Sequence, residues 1–281
     1  MISLIICSRR NDISEELKHN INSTIGTEYE LVVIDNSQNK YSIFSAYNEG
    51  VRRSKYPYLC FMHDDILYHT EGWGRNIMRH FAINEVGAIC VAGGHFLPDT
   101  PSGWNTTRIS SFNLIQRIYN GDKYKLELWD QKNYMKNPLI AEAVVMDGVW
   151  FCIRKSLFLS ISFDEITFKG FHCYDMDVSL QIRNSGFSIF IVTDILIEHF
   201  SIGSSSIDWI NDTIRLYNKW KHSLPQIAGV SLSDNEIIER TELATIIFDL
   251  KKEVMRIRNT KAFRVGTFIL KPLSFLKKFI K

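Results

Sequence analysis

The chain has 281 residues, 45% of them hydrophobic and 23% charged, enough to bury one substantial core and too apolar for an intrinsically disordered protein. Its net charge of +2 is unevenly spread. From Asn259 onward there are six lysines and arginines and no acid, so the first 258 residues hold 27 basic against 31 acidic groups and do not have the charge of a nucleic-acid binder.

Neither a spanning helix nor a secretory leader is expected, because no apolar run approaches ~18 residues and residues 4–7 run straight into Ser8-Arg9-Arg10-Asn11-Asp12. The five cysteines, Cys7, Cys60, Cys90, Cys152 and Cys173, sit in or beside apolar runs without a C-x-x-C spacing. They read as buried free thiols of a reducing compartment, not as a disulfide framework or a zinc site.

Residues 2–7 form a short apolar run, as in a strand buried on both faces of a parallel sheet. A helical stretch follows around residues 14–23, then a second buried strand over 31–34 that stops at Asp35-Asn36-Ser37. Ile43, Phe44, Ala46, Tyr47 and Val51 recur at helical spacing, and Tyr58–Met62 reads as a third strand. Residues 86–92 form a fourth, closed by Gly93-Gly94. This alternation predicts a mostly parallel, doubly wound α/β sheet flanked by helices.

Residues 96–137, rich in Asn, Ser, Thr, Tyr and Lys, are expected to be loops and irregular structure that shape an acceptor pocket. Strand character returns over 141–153, a helix is predicted over 174–185, and a buried strand over 189–197 ends at Glu198-His199. Another helix begins near Ser233-Asp234-Asn235, with Leu243, Ile247, Leu250, Val254 and Ile257 spaced as a seam that would pair with another helix or pack on the body. Two units follow: residues 1–230 as the α/β domain and 231–281 as a helical extension ending in a basic amphipathic tail.

In open α/β sheets ligands bind beyond the carboxyl ends of the strands. The polar groups expected there are Ser8-Arg9-Arg10, Asp35-Asn36-Ser37 and His63-Asp64-Asp65, which would converge on one edge. A carboxylate at such an edge suits Mg²⁺ or Mn²⁺, hard ions that bridge to phosphates. Neighbours in an extended chain point to opposite faces, so one of the two aspartates is the expected ligand, and Asp65 is taken as that one.

Four segments in order, Ser3-Leu4-Ile5-Ile6-Cys7-Ser8, Leu31-Val32-Val33-Ile34-Asp35-Asn36-Ser37, Ala46-Tyr47-Asn48-Glu49-Gly50 and Phe61-Met62-His63-Asp64-Asp65, resemble the donor-binding half of the family 2 glycosyltransferases, which have the GT-A fold. The resemblance implies that Asp35 and Asn36 contact the base or ribose and that Ser8 and Arg10 lie beside the nucleotide. It also implies that the helix carrying Asn48 and Gly50 packs under the diphosphate, and that His63-Asp64-Asp65 replaces the family's D-x-D metal motif. His63 stands where an acid is usual, leaving Asp65 as the metal ligand and His63 and Asp64 as neighbours of the ribose or diphosphate.

Further on, Gly170-Phe171-His172-Cys173-Tyr174-Asp175-Met176-Asp177 is similar to the family's acidic catalytic segment, with Tyr174 where Glu is common. Asp175 matches the general base, and Asp177 is expected to cap or brace the helix. His199, in a stretch similar to H-x-x-x-G-S, matches a metal-binding histidine. Asp147-Gly148-Val149-Trp150 matches a segment lining the sugar and acceptor pocket, with Trp150 stacking on a sugar ring.

The resemblance covers residues 1–205 and implies an inverting, metal-assisted transfer from a UDP- or dTDP-sugar to a hydroxyl of a glycan or lipid-linked acceptor. A sugar-phosphate nucleotidyltransferase is the first alternative, although no glycine-rich loop follows the first strand. A non-catalytic glycan-binding or scaffold protein is the second. The tail from residue 262 mixes Phe268, Leu270, Phe275 and Phe279 with lysines, as in a segment lying on anionic lipid. A cytoplasmic enzyme peripheral to the inner face of the plasma membrane, with homo-oligomer contacts through the last helix, is the resulting expectation.

Overall fold

The computed structural model describes residues 1–203, 206–261 and 263. Three parallel strands open the chain: β1 (Ile2–Ser8), β2 (Tyr29–Asp35) and β3 (Tyr58–Met62), with β1 between the other two. Side chains alternate across the sheet, so Ile5 and Phe61 enter one hydrophobic cluster while Leu4, Ile6, Cys60 and Met62 enter the other. Burial on both faces explains why β1 and β3 are nearly continuous apolar runs, whereas β2, at the sheet edge, buries Val32 and Ile34 and leaves Leu31 and Val33 half-buried.

The connecting helices, α1 (Glu15–Thr24) and α2 (Ile43–Arg53), begin at Ser14 and Ser42, whose hydroxyls accept from the backbone N–H of Leu17 and Ser45. Helix α2 lies close on β1, for a Cβ at Gly50 would come within 2.3 Å of Ile5. Strand β4 (Ile66–Tyr68), α3 (Trp73–His80), β5 (Val86–Cys90), β6 (Ala92–Gly94) and β7 (Phe96–Leu97) follow. The apolar run of 86–92 is therefore two strands, shared between two sheets.

Residues 96–137 depart from the irregular structure expected of them. They contain a long antiparallel hairpin, β8 (Ser110–Asn120) and β9 (Lys123–Gln131), turning at Gly121 with φ +64°. After it come β10 (Ile140–Ala143), β11 (Val145–Met146), β12 (Trp150–Arg154), α4 (Tyr174–Asn184), β13 (Ser188–Val192) and β14 (Ile197–His199). The chain continues through α5 (Ile207–Trp220), β15 (Gln226–Ile227) and α6 (Asp234–Arg258).

The seven-stranded sheet runs β10-β13-β5-β12-β3-β1-β2, with β10 and β12 antiparallel to the other five. A smaller sheet, β11-β6-β8-β14-β4 with β9 on the outer edge of β8, packs beside it. Strand β12 matters most for the site. Because it runs against β3, with Trp150 paired to Met62, its amino end lies where the parallel strands have their carboxyl ends. Residues 147–149 are thereby delivered to the same edge as His63.

Helix α6 starts at Ser233 in a capping box with Glu236. It faces the body through Ala244 and Phe248, the latter against Trp209 of α5, and not through the expected seam. Of that seam Ile247 is half-buried, while Leu243, Leu250, Val254 and Ile257 remain exposed. Among the described residues no helix is long and apolar enough to cross a membrane.

Candidate active site

The loop after β3 and the end of β14 meet at the sheet edge. His199 and Ile66 are cross-strand partners, and the backbone N–H of Phe200 donates to the carbonyl of Asp65. This places His63 Nδ1 and His199 Nε2 each 3.6 Å from the same oxygen, Asp65 Oδ1. One donor atom from each of the three residues falls within 4.8 Å of the other two.

Two imidazole nitrogens and a carboxylate oxygen converging on one point make a set that fits a divalent cation. Electrostatics agree. Burial raises the Asp65 carboxyl, but the nearby polar groups of His63 and Ser201 and the charges of the two histidines outweigh it and hold it at about 2. The opposing influences on His63 resolve upward, burial being overcome by Asp65, whereas burial prevails at His199 and lowers it.

A second carboxylate group lies beside the first. Helix α4 begins after Cys173, which adopts a left-handed φ of +64°, and this turn aims Asp175 back toward the residues before β12. Burial raises the Asp175 carboxyl to about 7, with the charge of Asp147 adding to it and backbone N–H groups of Met176, Asp175 and Gly148 opposing it. A carboxyl poised near neutrality can take up a proton there.

Tyr174 joins the two groups. Its hydroxyl donates to the carbonyl of Gly148 (3.0 Å) and lies 3.3 Å from His63 Nε2. Only glycine fits opposite that hydroxyl, since a Cβ at Gly148 would lie 2.2 Å from it. Asp177, the other acid of the segment, faces away. It is fully buried, bonds Trp220 Nε1 and Gln181 Nε2, and pairs with Lys219 (2.7 Å), which ties α4 to α5.

A family model described as "Glycosyltransferase like family" matches residues 3–215, from β1 into α5, the stretch that carries these groups. The chain belongs to that glycosyltransferase-like family. No curated protein matches its sequence closely enough to count as a relative. Solved structures show the fold.

GalNAc-T7, in a structure with UDP, GalNAc and Mn²⁺, superposes with a TM-score of 0.54 at 12% identity, over 95% of this chain and 56% of its own. The chain thus spans little more than half of that protein. The mannosyltransferase PcManGT from Pyrobaculum calidifontis, in complex with GDP-Man and Mn²⁺, gives 0.52 at 10% identity over 98% of this chain and 80% of its own. TarS 1–349 from S. aureus with UDP-GlcNAc gives 0.50 at 10% identity, over 85% and 70%. These establish the GT-A architecture expected from the sequence.

Within this glycosyltransferase-like fold the expected site residues separate into two groups. Ser8 ends β1 beside Asp35 of β2, and its hydroxyl donates to Asp64 Oδ2 at 2.5 Å. Arg10 is exposed nearby, its backbone N–H donating to Ser8 Oγ. Asp35 is exposed too, held below the ordinary carboxylate range by hydrogen bonds from Ser37. Asp35, Arg10 and Asp64 line the open edge with Asp147, Asp175 and the His63-Asp65-His199 cluster, while Ser8, fully buried, supports Asp64 through its hydroxyl.

Three others do not line it. Asn36 is buried, with its amide spent on both the N–H and the carbonyl of Tyr41. Asn48 spends its amide on the backbone of Phe163, and Gly50 is the close contact with Ile5. Trp150 also departs from its expected place. It is 0% exposed in the core, its indole N–H donating to the Tyr68 hydroxyl, because strand alternation turns it away from the edge that Asp147 faces.

His63 is placed with Asp65 and His199, where the sequence reading had it beside the ribose or diphosphate. Tyr174, Gln116 and Ser201 were not foreseen as parts of the site. His172 Nε2, from the same segment as Asp175, lies 3.2 Å from Ser206 Oγ.

Proposed function

We propose that this chain transfers a glycosyl group from a nucleoside-diphosphate sugar to an acceptor hydroxyl, with inversion at the anomeric carbon. One observation carries the reading: a cation-fitting cluster and a carboxyl group poised near neutrality stand at one sheet edge, bridged by Tyr174. Glycosyl transfer from a diphosphate donor needs charge stabilisation on the leaving side and a base on the attacking side. The relatives in fold, crystallised with UDP, GDP-Man and UDP-GlcNAc, support the donor class.

His63, Asp65 and His199 would hold Mn²⁺, which when bound supplies positive charge to the departing diphosphate. Two imidazole nitrogens favour Mn²⁺ over Mg²⁺, which prefers an all-oxygen, water-rich shell. Asp175 accepts the proton of the acceptor hydroxyl as that oxygen attacks the anomeric carbon from the face opposite the nucleotide. Asp147 borders the sugar and raises the affinity of Asp175 for that proton. Ser8 fixes the Asp64 carboxylate, and exposed Asp35 and Arg10 meet the base, ribose and phosphates.

Thermal unfolding of the full chain against a panel of nucleotide sugars tests the reading, since a specific ligand stabilises by mass action. One donor should raise the melting temperature only with Mn²⁺ present and should then be consumed when glycan or lipid-linked acceptors are added. A shift from no donor, or shifts indifferent to Mn²⁺, would refute it.

The basic, phenylalanine-rich tail is proposed to contact anionic membrane on the inner face of the plasma membrane; residues 264–281 lie outside the described residues. A chain cut at Asn259 should no longer sediment with anionic liposomes. The exposed seam of α6 is the proposed homo-oligomer contact.

A further inference from the structure

Gln116 sits on β8, directly opposite His199 of β14 in a parallel pair, and is 2% exposed. Its amide nitrogen donates to two backbone carbonyls, His199 O at 3.0 Å and Ser201 O at 2.9 Å, with Arg117 O further off at 3.3 Å. Carbonyl oxygens only accept hydrogen bonds, so the NH₂ group must face them. The orientation of the amide is therefore fixed by chemistry, and its oxygen is left facing His199 Nδ1 at 3.3 Å.

An amide oxygen likewise only accepts, so His199 Nδ1 must carry the proton. In the neutral ring Nε2 then keeps its lone pair; Asp65 Oδ1 faces it at 3.6 Å, too far to take a hydrogen bond from it, and the Ser201 hydroxyl at 3.4 Å can donate to it. The neighbouring residue holds the strand from its other side, since Glu198 is nearly buried and pairs with Arg117 and with His69 (2.8 Å).

We infer that Gln116 is a positioning residue that locks His199 in the Nδ1–H tautomer, with the Nε2 lone pair presented beside Asp65 to a divalent cation. The purpose of the lock rests on the metal reading above, but the tautomer is a property of the chain without metal. Outer partners of this kind set ligand orientation and basicity, and losing one typically weakens metal binding about 10–100-fold.

The test begins with the unmodified full-length chain, ¹⁵N-labelled, metal-free, at alkaline pH where the ring is neutral. Long-range ¹H–¹⁵N correlations should show a protonated Nδ1 and a bare Nε2 for His199. A free histidine favours the opposite tautomer, so solvent exposure would not produce this pattern. An Nε2–H ring in the unmodified chain overturns the inference whatever the variants do.

Gln116→Met keeps the volume and removes both amide functions. It should release the tautomer and weaken Mn²⁺ binding by about 10–100-fold in calorimetry. Gln116→Glu keeps an acceptor for Nδ1–H while giving up the donations to His199 and Ser201. It should melt lower but retain the tautomer and bind Mn²⁺ more tightly than the Met variant. Equal losses of Mn²⁺ affinity in both variants would mean that Gln116 only braces the backbone, and would overturn the inference. A chain that binds no Mn²⁺ would sink the metal reading and with it the purpose of the lock, whereas a wrong tautomer with intact Mn²⁺ binding sinks the lock alone.

Discussion

Asp65 and Asp175 stand at the same sheet edge, yet their surroundings move the two carboxyl groups apart, to about 2 and to about 7. Both are desolvated, which by itself raises a carboxyl group. At Asp65 the penalty is overcome by His63, Ser201 and His199, groups that favour the anion. At Asp175 the nearby charge is that of another aspartate, Asp147, and only backbone N–H groups oppose it. Two acids of one type are thereby fitted to different work, a permanent anion for a cation and a group that exchanges a proton near neutrality.

Asp175→Asn should break the comparison most severely. The side chain keeps its shape and loses its capacity to take a proton, so kcat should fall by about 10²–10⁴-fold while the KM for donor changes little. In the parent chain the rate should rise with pH through about 7, because the base must be ionised. Stability follows the opposite course. A carboxyl raised on folding favours the folded state below the ordinary carboxylate range, and that contribution is lost as pH rises through about 7. The Asn variant lacks this loss, so its melting temperature should exceed the parent's by a margin that grows from pH 4 to 7. A pH–rate profile and thermal melts over that range check both signs.

Asp65→Ala comes next. It removes the oxygen on which both histidines converge, and Mn²⁺ affinity in calorimetry should fall by more than the about 100-fold upper range for an outer partner. Turnover at saturating Mn²⁺ would distinguish a weakened site from a destroyed one. Unchanged Mn²⁺ affinity would remove Asp65 from the cluster.

Much of this pair was readable beforehand because the parallel half of the sheet is buried on both faces. Its strands are nearly continuous apolar runs, and the polar residues that stop them, Ser8, Asp35 and His63, mark the edge directly. Asp175 and His199 were legible only through the resemblance of their segments, since a lone acid or histidine carries no such signal.

Gln116 was hidden by the hairpin around it. Strand β9 is exposed along nearly its whole length, while β8 buries Asn113 and Gln116 among apolar neighbours, so neither shows clean alternation. One signal was present: Gly121-Asp122 between two runs that carry aromatic and large aliphatic residues is a two-residue hairpin turn. Trp150 misled for a geometric reason. It is three residues from Asp147, but the chain enters β12 between them, and the pleat sends the indole into the core.

Tyr174→Phe probes the bridge between the two carboxylates and should have a smaller effect than either acid. The ring stays among Phe44, Tyr47 and Phe151, so the packing survives. Lost are the contact with His63 Nε2 and the donation to the carbonyl of Gly148, the residue whose own N–H serves Asp175. Mn²⁺ affinity should fall by about 10-fold, the lower end for an outer partner. If Mn²⁺ binding is untouched, the hydroxyl does not orient His63.

Asp147→Asn should give the smallest change and sharpen the comparison most, because it separates the two causes acting on Asp175. Removing the negative charge leaves burial in place, and burial is the larger of the two. The acidic limb of the pH–rate profile should therefore move to lower pH without reaching the ordinary carboxylate range. A limb that returned fully to that range would make the like charge, and not desolvation, the dominant cause. A limb that did not move would place Asp147 too far away to matter, and the proton affinity of Asp175 would then have to come from burial alone.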